Sequence, residues 1–233
     1  GEAVVIEEFM EGEEASVLCF TDGTTIVPMI SAQDHKRIGD GDMGANTGGM
    51  GAYAPAPVMT KELDKIVYDT ILLPAVKAMK KEGCPFRGCL YAGLMITKEG
   101  PKVVEFNCRF GDPETEAILP LLESDLARIM LACAKGTLKK EKVEWKNACA
   151  VDIVLASEGY PATHSSGEEI SGLEEAKKAG CLVFHAGSVK KNGRYFVNGG
   201  RVLNVAAVAP TLKEARDKAY EGVSKISWRG MQY

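Results

Sequence analysis

The stretch "VVEFNCRFGDPE" (residues 103–114) carries polar side chains at alternate positions of a segment whose apolar residues predict a buried strand. Alternate side chains of a strand point to opposite faces. Glu105, Asn107 and Arg109 therefore share one face, and the apolar residues between them share the other. A single polar residue on a strand face is ordinary, whereas a carboxylate, an amide and a guanidinium in a row indicate a site.

The chemistry of this face suits phosphate and a divalent cation. Glu105 and Asn107 offer hard oxygen donors, and Mg²⁺ takes few protein ligands and completes its shell with water and phosphate oxygens. Arg109 can contact a phosphate with two hydrogen bonds. The alternative is a solvated edge-strand face with an ordinary Glu–Arg contact. The turn that follows favours a site, because it adds three carboxylates: Asp112, Glu114 and Glu116.

A glycine-rich segment at 31–52 forms the second candidate. Its length without periodicity predicts a functional loop rather than regular structure. "NTGGMG" (46–51) offers successive backbone N–H groups that suit an anion, and the charged residues 34–37 lie beside it. The alternative is a flexible surface loop. A Walker loop is absent from the sequence, and no GxGxxG motif stands in the strand–helix setting that dinucleotide binding requires, so that interpretation is weak.

The third candidate is "VVIEEFMEGEEASV" (4–17). An apolar strand that ends in two carboxylates can present backbone groups to the edge of a nucleotide base, with Glu14 placed for sugar hydroxyls. A plain β-hairpin is the alternative.

Composition limits the classes of partner. The 233 residues are 45% hydrophobic and 26% charged, with a net charge of −4 and no basic stripe, so a nucleic-acid partner is not expected. No apolar run approaches the roughly 20 residues of a membrane helix, so no membrane partner is expected either. Seven cysteines without a CxxC pair predict free thiols in a reducing cytoplasm.

The pattern of elements predicts an α+β protein in two parts, 1–138 and 139–233, divided where a charged stretch lacks periodicity. Capping boxes are predicted at Ser171/Glu174 and Thr211/Glu214, and Ser124 is predicted to cap a helix that ends at Gly136. Strands are predicted at 3–10, 14–21, 25–30, 89–97, 102–107, 149–157, 181–189, 193–198 and 201–209, and helices at 61–81 (kinked or divided at Pro74), 124–136, 171–180 and 212–226.

Three long strings, in this order, resemble the phosphoribosylamine–glycine ligase family of ATP-grasp enzymes: "EEFMEGEEASV", "DHKRIGDGDMGANTGGMGAYAPAPV" and "VVEFNCRFGDPE". "ASEGYPATHSSGEEISG", "VFHAGS" and "NGGRVLNV" resemble the family's C-terminal domain. The resemblance runs from residue 1 to residue 233. It implies the C-terminal part of an ATP-grasp domain, with an antiparallel sheet and helices, followed by a small mixed α/β domain.

The resemblance also implies a reaction, in which ATP, glycine and 5-phosphoribosylamine give glycinamide ribonucleotide, ADP and phosphate through glycyl phosphate. It places this step in de novo purine synthesis. The implied metal ligands, for Mg²⁺ or Mn²⁺, are Glu105 and Asn107, and the implied catalytic residues are Arg109 and Lys36. The ATP contacts implied are Glu7, Glu8, Phe9, Met10 and Glu14. The substrate contacts implied are Asp34, His35, Lys36, Asn46, Thr47, Gly48, Gly49, Met50, Gly51 and Asp112.

Two departures from the family pattern leave alternatives open. The strand "CLYAGLMIT" (89–97) lacks the further acidic metal ligand of many ATP-grasp enzymes, so a loop carboxylate such as Asp112 can complete the set. In the family, an amine-substrate domain and a glycine-rich ATP lid precede the strand that contacts adenine, which is 3–10 here. Neither is found in this sequence, so the chain is expected to be the C-terminal part. Another ATP-grasp carboxylate ligase or carboxylase, and a catalytically incomplete fragment, are the alternatives. The sequence does not indicate an oligomeric state.

Overall fold

The computed structural model describes residues 3–233 as fourteen strands and six α-helices. The strands are β1 (Glu13–Thr21), β2 (Ile26–Pro28), β3 (Gln33–Asp34), β4 (Arg37–Gly39), β5 (Met43–Asn46), β6 (Gly51–Ala54), β7 (Gly88–Thr97), β8 (Gly100–Asn107), β9 (Cys149–Ala156), β10 (Ser166–Ile170), β11 (Leu182–His185), β12 (Ser188–Lys191), β13 (Arg194–Asn198) and β14 (Arg201–Ala209). The helices are α1 (Lys61–Val67), α2 (Leu73–Lys81), α3 (Glu114–Ile118), α4 (Leu126–Lys135), α5 (Leu173–Lys178) and α6 (Leu212–Val223).

The first sheet is antiparallel, with strand order β2-β1-β7-β8. Alternating residues of β1 and β7 fill two cores, because both faces of these strands are covered. Val17, Leu90 and Leu94 pack against α1 and α2 on one face, while Leu18 and Phe20 pack against α3 and α4 on the other. The hairpin β7–β8 predicted by the sequence is confirmed.

The second large sheet joins both parts of the chain, with strand order β11-β14-β9-β6-β3. Gly51–Ala54 pairs antiparallel with β9, from Gly51 opposite Ile153 to Ala54 opposite Ala150. One face of this sheet packs on α5 and α6, with Leu155, Leu203 and Val205 buried in that core. The glycine-rich segment, predicted as a loop, is therefore joined at its end to the C-terminal sheet. The remaining sheets are β10-β13-β12 and the hairpin β4–β5.

The prediction that 31–52 lacks regular structure is wrong, because four short strands lie within 33–54. Strands of two to four residues are too short to show a period of two, so the sequence pattern missed them. The prediction of a strand at 3–10 is also wrong. Residues 3–10 form no strand, and Ile6 and Phe9 are 92% and 87% exposed. A strand requires a hydrogen-bonded neighbour, and nothing in the described part of the chain pairs with this segment.

The segment 61–81 is helical throughout, but it is not a single α-helix. A π-helical turn, Tyr68–Leu72, lies between α1 and α2, and Pro74 follows it in the first turn of α2. The predicted strand 181–189 is divided into β11 and β12. No helix between residues 3 and 233 is long and apolar enough to cross a membrane.

One of the three predicted helix caps is confirmed in full, one in part, and one is wrong. The Thr211/Glu214 capping box is present at the start of α6, and Gly136 ends α4 in the left-handed conformation. The residue that caps the start of α4, however, is Asp125 and not Ser124. The capping box predicted at Ser171 is wrong, because Gly172 holds the N-cap position and the Ser171 hydroxyl bonds to Ser227 instead.

Candidate functional site

A cluster of charged side chains joins the first strand to the glycine-rich segment. Lys36 forms an ion pair with Glu14, and its Nζ lies 3.5 Å from Oδ2 of Asp34. Burial and the nearby Glu114 raise the pKa of Asp34 to about 6, against the lowering effect of Lys36. Burial disfavours the charged amine of Lys36, but its bonds to the two carboxylates outweigh this and raise its pKa. The structure thus brings together three residues that the sequence predicted.

Glu114, whose charge raises the pKa of Asp34, is held by hydrogen bonds to the first sheet. It is 3% exposed, and its Oε1 accepts hydrogen bonds of 2.8 Å from both the Ser16 and the Tyr91 hydroxyls. These bonds tie α3 to β1 and β7. The sequence indicated a polar turn at this position, but it gave no sign that Glu114 is buried, because its partners lie 98 and 23 residues away.

The register of the first sheet places the cluster and the predicted metal ligands on one face. Ser16 lies opposite Gly93, and Gly93 lies opposite Glu105 on the next strand. Side chains two residues apart on a strand share a face, so Glu14 and Asn107 belong to this face too. Two strand spacings separate β1 from β8, or about 10 Å.

The Glu105–Asn107 face lies on the edge strand β8. Nδ2 of Asn107 donates a hydrogen bond of 2.8 Å to Oε1 of Glu105. Arg109 donates to the Phe110 carbonyl oxygen at 2.9 Å and is otherwise exposed. The expectation that the opposite face is buried is wrong, since Val104 and Phe106 are 41% and 43% exposed. Within residues 3–233, no group of three or more His, Cys, Asp or Glu side chains is arranged to hold a metal ion.

His35 is separated from its two sequence neighbours. With Met50 and Gly51 it lines a cavity of about 560 Å³ between the β4–β5 hairpin, β9 and α6. Its ring centroid lies 5.3 Å from that of Tyr53, and burial lowers its pKa. Neither Asp34 nor Lys36 lines this cavity. The predicted substrate residues therefore lie in two places, the cavity and the charged cluster with Glu14.

The anion cradle predicted at 46–51 is not formed. The amides of residues 47–50 all donate, over 2.7–2.9 Å, to acceptors inside the protein. Those acceptors are the carbonyl oxygens of Lys36 and His35 and the hydroxyls of Thr47 and Tyr160. Successive amides bind an anion only when they are free to donate, and the fold uses these four for itself. Asn46 is exposed at the end of β5.

Arg201 is a residue that the sequence analysis missed. Its Nη1 donates to the carbonyl oxygens of Gly48 at 2.6 Å and Asp112 at 3.0 Å, and lies 3.2 Å from Oδ1 of Asp112. Asp112, predicted as a substrate contact or further metal ligand, is therefore bound to Arg201 in this structure. The only available signal was an arginine directly after two glycines in "NGGRVLNV" (198–205).

Two carboxyl groups lie near Arg201: that of Glu116, which is half-buried, and that of Asp152, which is buried. Burial and Asp112 raise the pKa of Glu116 to about 7. Burial raises the pKa of Asp152 well above its usual range, although Nδ2 of Asn204 donates to its Oδ2 at 2.9 Å. Among the described residues, Oδ1 of Asp152 and Oε2 of Glu116 have no hydrogen-bond partner.

The segment predicted to contact ATP, Glu7 to Met10, forms no strand. Glu8 pairs with Lys102 on β8, and Phe9 is exposed. Glu7 is exposed as well, and Met10 is half-buried. Glu14, predicted to contact the ribose, is bound to Lys36 instead of being free.

Comparison with known proteins defines the class first. The family model described as "Phosphoribosylglycinamide synthetase, ATP-grasp (A) domain" matches residues 1–115, and the one described as "Phosphoribosylglycinamide synthetase, C domain" matches residues 150–233. A crystal structure of phosphoribosylamine–glycine ligase from Thermotoga maritima superimposes with a TM-score of 0.88 at 38% identity, covering 97% of this chain and 56% of that one. The fold is that of an ATP-grasp protein followed by a C-terminal domain.

Relatives then define the family. A phosphoribosylamine–glycine ligase of Vigna unguiculata is 50% identical over 97% of this chain and 75% of its own length. A trifunctional purine biosynthetic protein adenosine-3 of Gallus gallus is 54% identical over 100% of this chain. The chain belongs to the phosphoribosylamine–glycine ligase family. It spans only 23% of the Gallus gallus protein.

Proposed function

We propose that the protein containing this chain ligates glycine to 5-phosphoribosylamine at the expense of ATP, giving glycinamide ribonucleotide, ADP and phosphate in de novo purine synthesis. Relatives that carry the name phosphoribosylamine–glycine ligase support this proposal. The observation that carries it is the common sheet face, on which the Glu14–Lys36–Asp34 cluster lies about two strands from Glu105 and Asn107.

The proposed reaction has two steps. A carboxylate oxygen of glycine attacks the γ-phosphorus of ATP, the bond to the bridging oxygen breaks, and ADP leaves with glycyl phosphate formed. The amine nitrogen of the sugar then attacks the carbonyl carbon, and the carbon–oxygen bond to phosphate breaks. The nitrogen loses a proton as the amide forms. Such phosphoryl transfer asks the protein chiefly to position reactants and neutralise charge.

The charged cluster suits these tasks. Lys36 is kept positive by its two carboxylate partners, and it can neutralise charge on a carboxylate or phosphate substrate when that substrate replaces one of them. Asp34 has a pKa of about 6, so most of its carboxyl groups are ionised at neutral pH and can accept the proton that the amine loses. We propose that Arg109 contacts the transferred phosphoryl group, and that Asp34, His35, Asn46–Gly51 and Asp112 surround the substrates.

The face of β8 fits a divalent cation. Glu105 and Asn107 present hard oxygen donors side by side at an exposed edge, which suits an ion that takes few protein ligands. When bound there, Mg²⁺ or Mn²⁺ would supply charge neutralisation on the phosphate oxygens of ATP. We propose that Glu7, Glu8, Phe9 and Met10 contact the adenine and that Glu14 contacts the ribose.

Two further points belong to the proposal. The boundary between the domains lies at 138/139, which is supported by the start of the C-domain match at residue 150. The location is cytoplasmic, which is supported by seven cysteines that are all free thiols.

The proposal is tested by ADP release from the protein as its gene encodes it, with ATP, Mg²⁺, glycine and phosphoribosylamine, each omitted in turn. Release that requires both glycine and the amine is expected. Release that persists without glycine but requires bicarbonate would favour an ATP-grasp carboxylase. Absence of release in every mixture would favour the catalytically incomplete alternative.

A further inference from the structure

The motif "NGGRVLNV" (198–205) has no role in the proposed reaction, yet it reaches the glycine-rich turn. Arg201, the first residue of β14, points its guanidinium at the turn 47–50 and at the turn that holds Asp112. The two closest acceptors of its Nη1, the carbonyl oxygens of Gly48 and Asp112, match the two hydrogens on that nitrogen. A single side chain from the C-terminal part therefore holds two loops of the N-terminal part together.

Tyr160 makes the matching contact from the same side. Its hydroxyl accepts a hydrogen bond of 2.9 Å from the amide of Gly48. The ring reaches this position only because residue 200 is glycine, since a Cβ there would lie 2.4 Å from Tyr160 Cδ2. Gly48 is thus held by its amide and its carbonyl at once, by two side chains that lie 112 and 153 residues away in sequence.

Arg201 also brings a positive charge close to three carboxyl groups. Its carboxylate neighbours are Asp112, in direct contact, and Glu116 and Asp152, whose ionisation it influences. A positive donor at this position offsets part of the repulsion among these carboxylates. A neutral side chain of similar length would keep neither the ion pair nor this compensation.

We infer that Arg201 and Tyr160 are positioning residues, which hold the 47–50 turn against the Asp112 turn in the arrangement that the glycine and amine substrates require. This inference rests on the proposed function, because it assumes that these turns surround those substrates. Neither side chain is assigned a contact with the reacting atoms. The C-terminal domain therefore acts on the reaction through the turn that it fixes.

A kinetic comparison tests this role in the protein as its gene encodes it. The variants are Arg201→Gln, Arg201→Lys and Tyr160→Phe, with Arg194→Gln and Tyr195→Phe on β13 as matched controls, because neither side chain lines the cavity beside Met50 and Gly51. In Arg201→Gln the KM for glycine or for phosphoribosylamine is expected to rise about tenfold or more, while the KM for ATP changes less than about twofold. Arg201→Lys, which keeps a positive donor, is expected to recover most of this loss.

Equal changes in all three KM values, or none, would overturn the positioning role. So would an Arg201→Lys variant no better than Arg201→Gln, because the donor would then not be what matters. A folding defect alone lowers the amount of active enzyme and therefore kcat, and leaves the three KM values unchanged.

Amide hydrogen exchange tests the contact without reference to activity. Exchange in a peptide covering 46–51 is expected to accelerate in Tyr160→Phe and in Arg201→Gln, and to stay unchanged in both controls. Unchanged exchange in the two variants would overturn the inference even if the ligase activity is confirmed. Faster exchange in a protein that shows no glycine-dependent turnover would leave the contact standing and refute the proposed function alone.

Discussion

Burial affects the ionisation of Asp152 more than its hydrogen bond or its charged neighbours do. Asp152 is 1% exposed, and its Oδ1 has no partner among the described residues. Burial of an ionised carboxylate without full hydrogen bonding is costly, so the protonated form is favoured in the folded state. The carboxyl group of the unfolded chain ionises near its usual pKa of 3.8.

This difference makes the stability depend on pH. Because the folded pKa of Asp152 is raised, its stabilising contribution is complete below the unfolded pKa and is lost as the pH rises through the folded pKa. Asp152→Asn removes this loss and keeps an oxygen that can accept from Asn204. The Tm of the variant is expected to exceed that of the native protein at pH 8 by more than at pH 5. Thermal unfolding at both values checks this, with the exposed Asp217→Asn as control, and a lower Tm than native at pH 8 would contradict it.

Glu105 carries the proposed metal site. Its replacement by alanine removes the one charged oxygen donor of the pair with Asn107, so metal-dependent ADP release is expected to fall at least about 100-fold. Glu99→Ala is the matched control, because Glu99 is an exposed carboxylate whose salt-bridge partner among the described residues is Lys102. Turnover near the native level in Glu105→Ala, across a titration of Mg²⁺, would contradict the assignment of Glu105 as a metal ligand.

Residue types at fixed spacing could be predicted from the sequence, and long-range contacts could not. The alternation of Glu105 and Asn107 follows from strand geometry alone. The contacts of Arg201 and Tyr160 depend on how two distant segments meet, and no local pattern encodes that. The free-amide cradle was predicted from glycine content, but the acceptors that occupy those amides come from other elements.

At the scale of elements, the sequence is reliable where an element has its own local signals. The β7–β8 hairpin and α6 have strong patterns, and both are present. The segment 3–10 has an equally strong pattern but no neighbour to pair with among the described strands. The strands β3 and β6 have hardly any pattern. β6 forms along the edge of β9, and β3 in turn pairs with β6.

The capping box of α6 gives an element-scale prediction. The Thr211 hydroxyl accepts from the Glu214 amide, and the Glu214 carboxylate accepts from the Thr211 amide. Thr211→Ala is expected to lower the free energy of unfolding by about 0.5–2 kcal/mol. Thr137→Ala is the control, since Thr137 starts a short 3₁₀ turn without a side-chain cap bond. Equal effects of the two substitutions in denaturant unfolding would show that the cap bond contributes nothing.

At the scale of the whole molecule, the shared sheet joins the two parts. The pairing of β6 with β9 links the glycine-rich segment to the C-terminal sheet, and Arg201 reinforces it from β14. The sequence predicted two parts, but not a sheet common to both, because the joining strands are only two and four residues long. Unfolding is therefore expected to be a single cooperative transition.

Gly51 lies at the centre of this joint. A Cβ at this position would lie 2.5 Å from the carbonyl oxygen of Asp152 on the neighbouring strand. Gly51→Ala is expected to lower the Tm by several degrees and to broaden or split the transition. Gly41→Ala is the control, because Gly41 also has a positive φ but its Cβ would meet nothing within 4 Å. Equal shifts in calorimetry would mean that the contact with β9 is not what matters.

Transfer of an oxygen isotope from glycine to phosphate tests whether the ligation runs through glycyl phosphate. Glycine labelled with ¹⁸O in both carboxylate oxygens is supplied with ATP, Mg²⁺ and phosphoribosylamine, and the released phosphate is analysed by mass. The attacking oxygen stays with phosphorus when the amine displaces phosphate, so one labelled oxygen per phosphate is expected. Phosphate without label would contradict the proposed reaction, because it would show that glycine's carboxylate never attacks the γ-phosphorus.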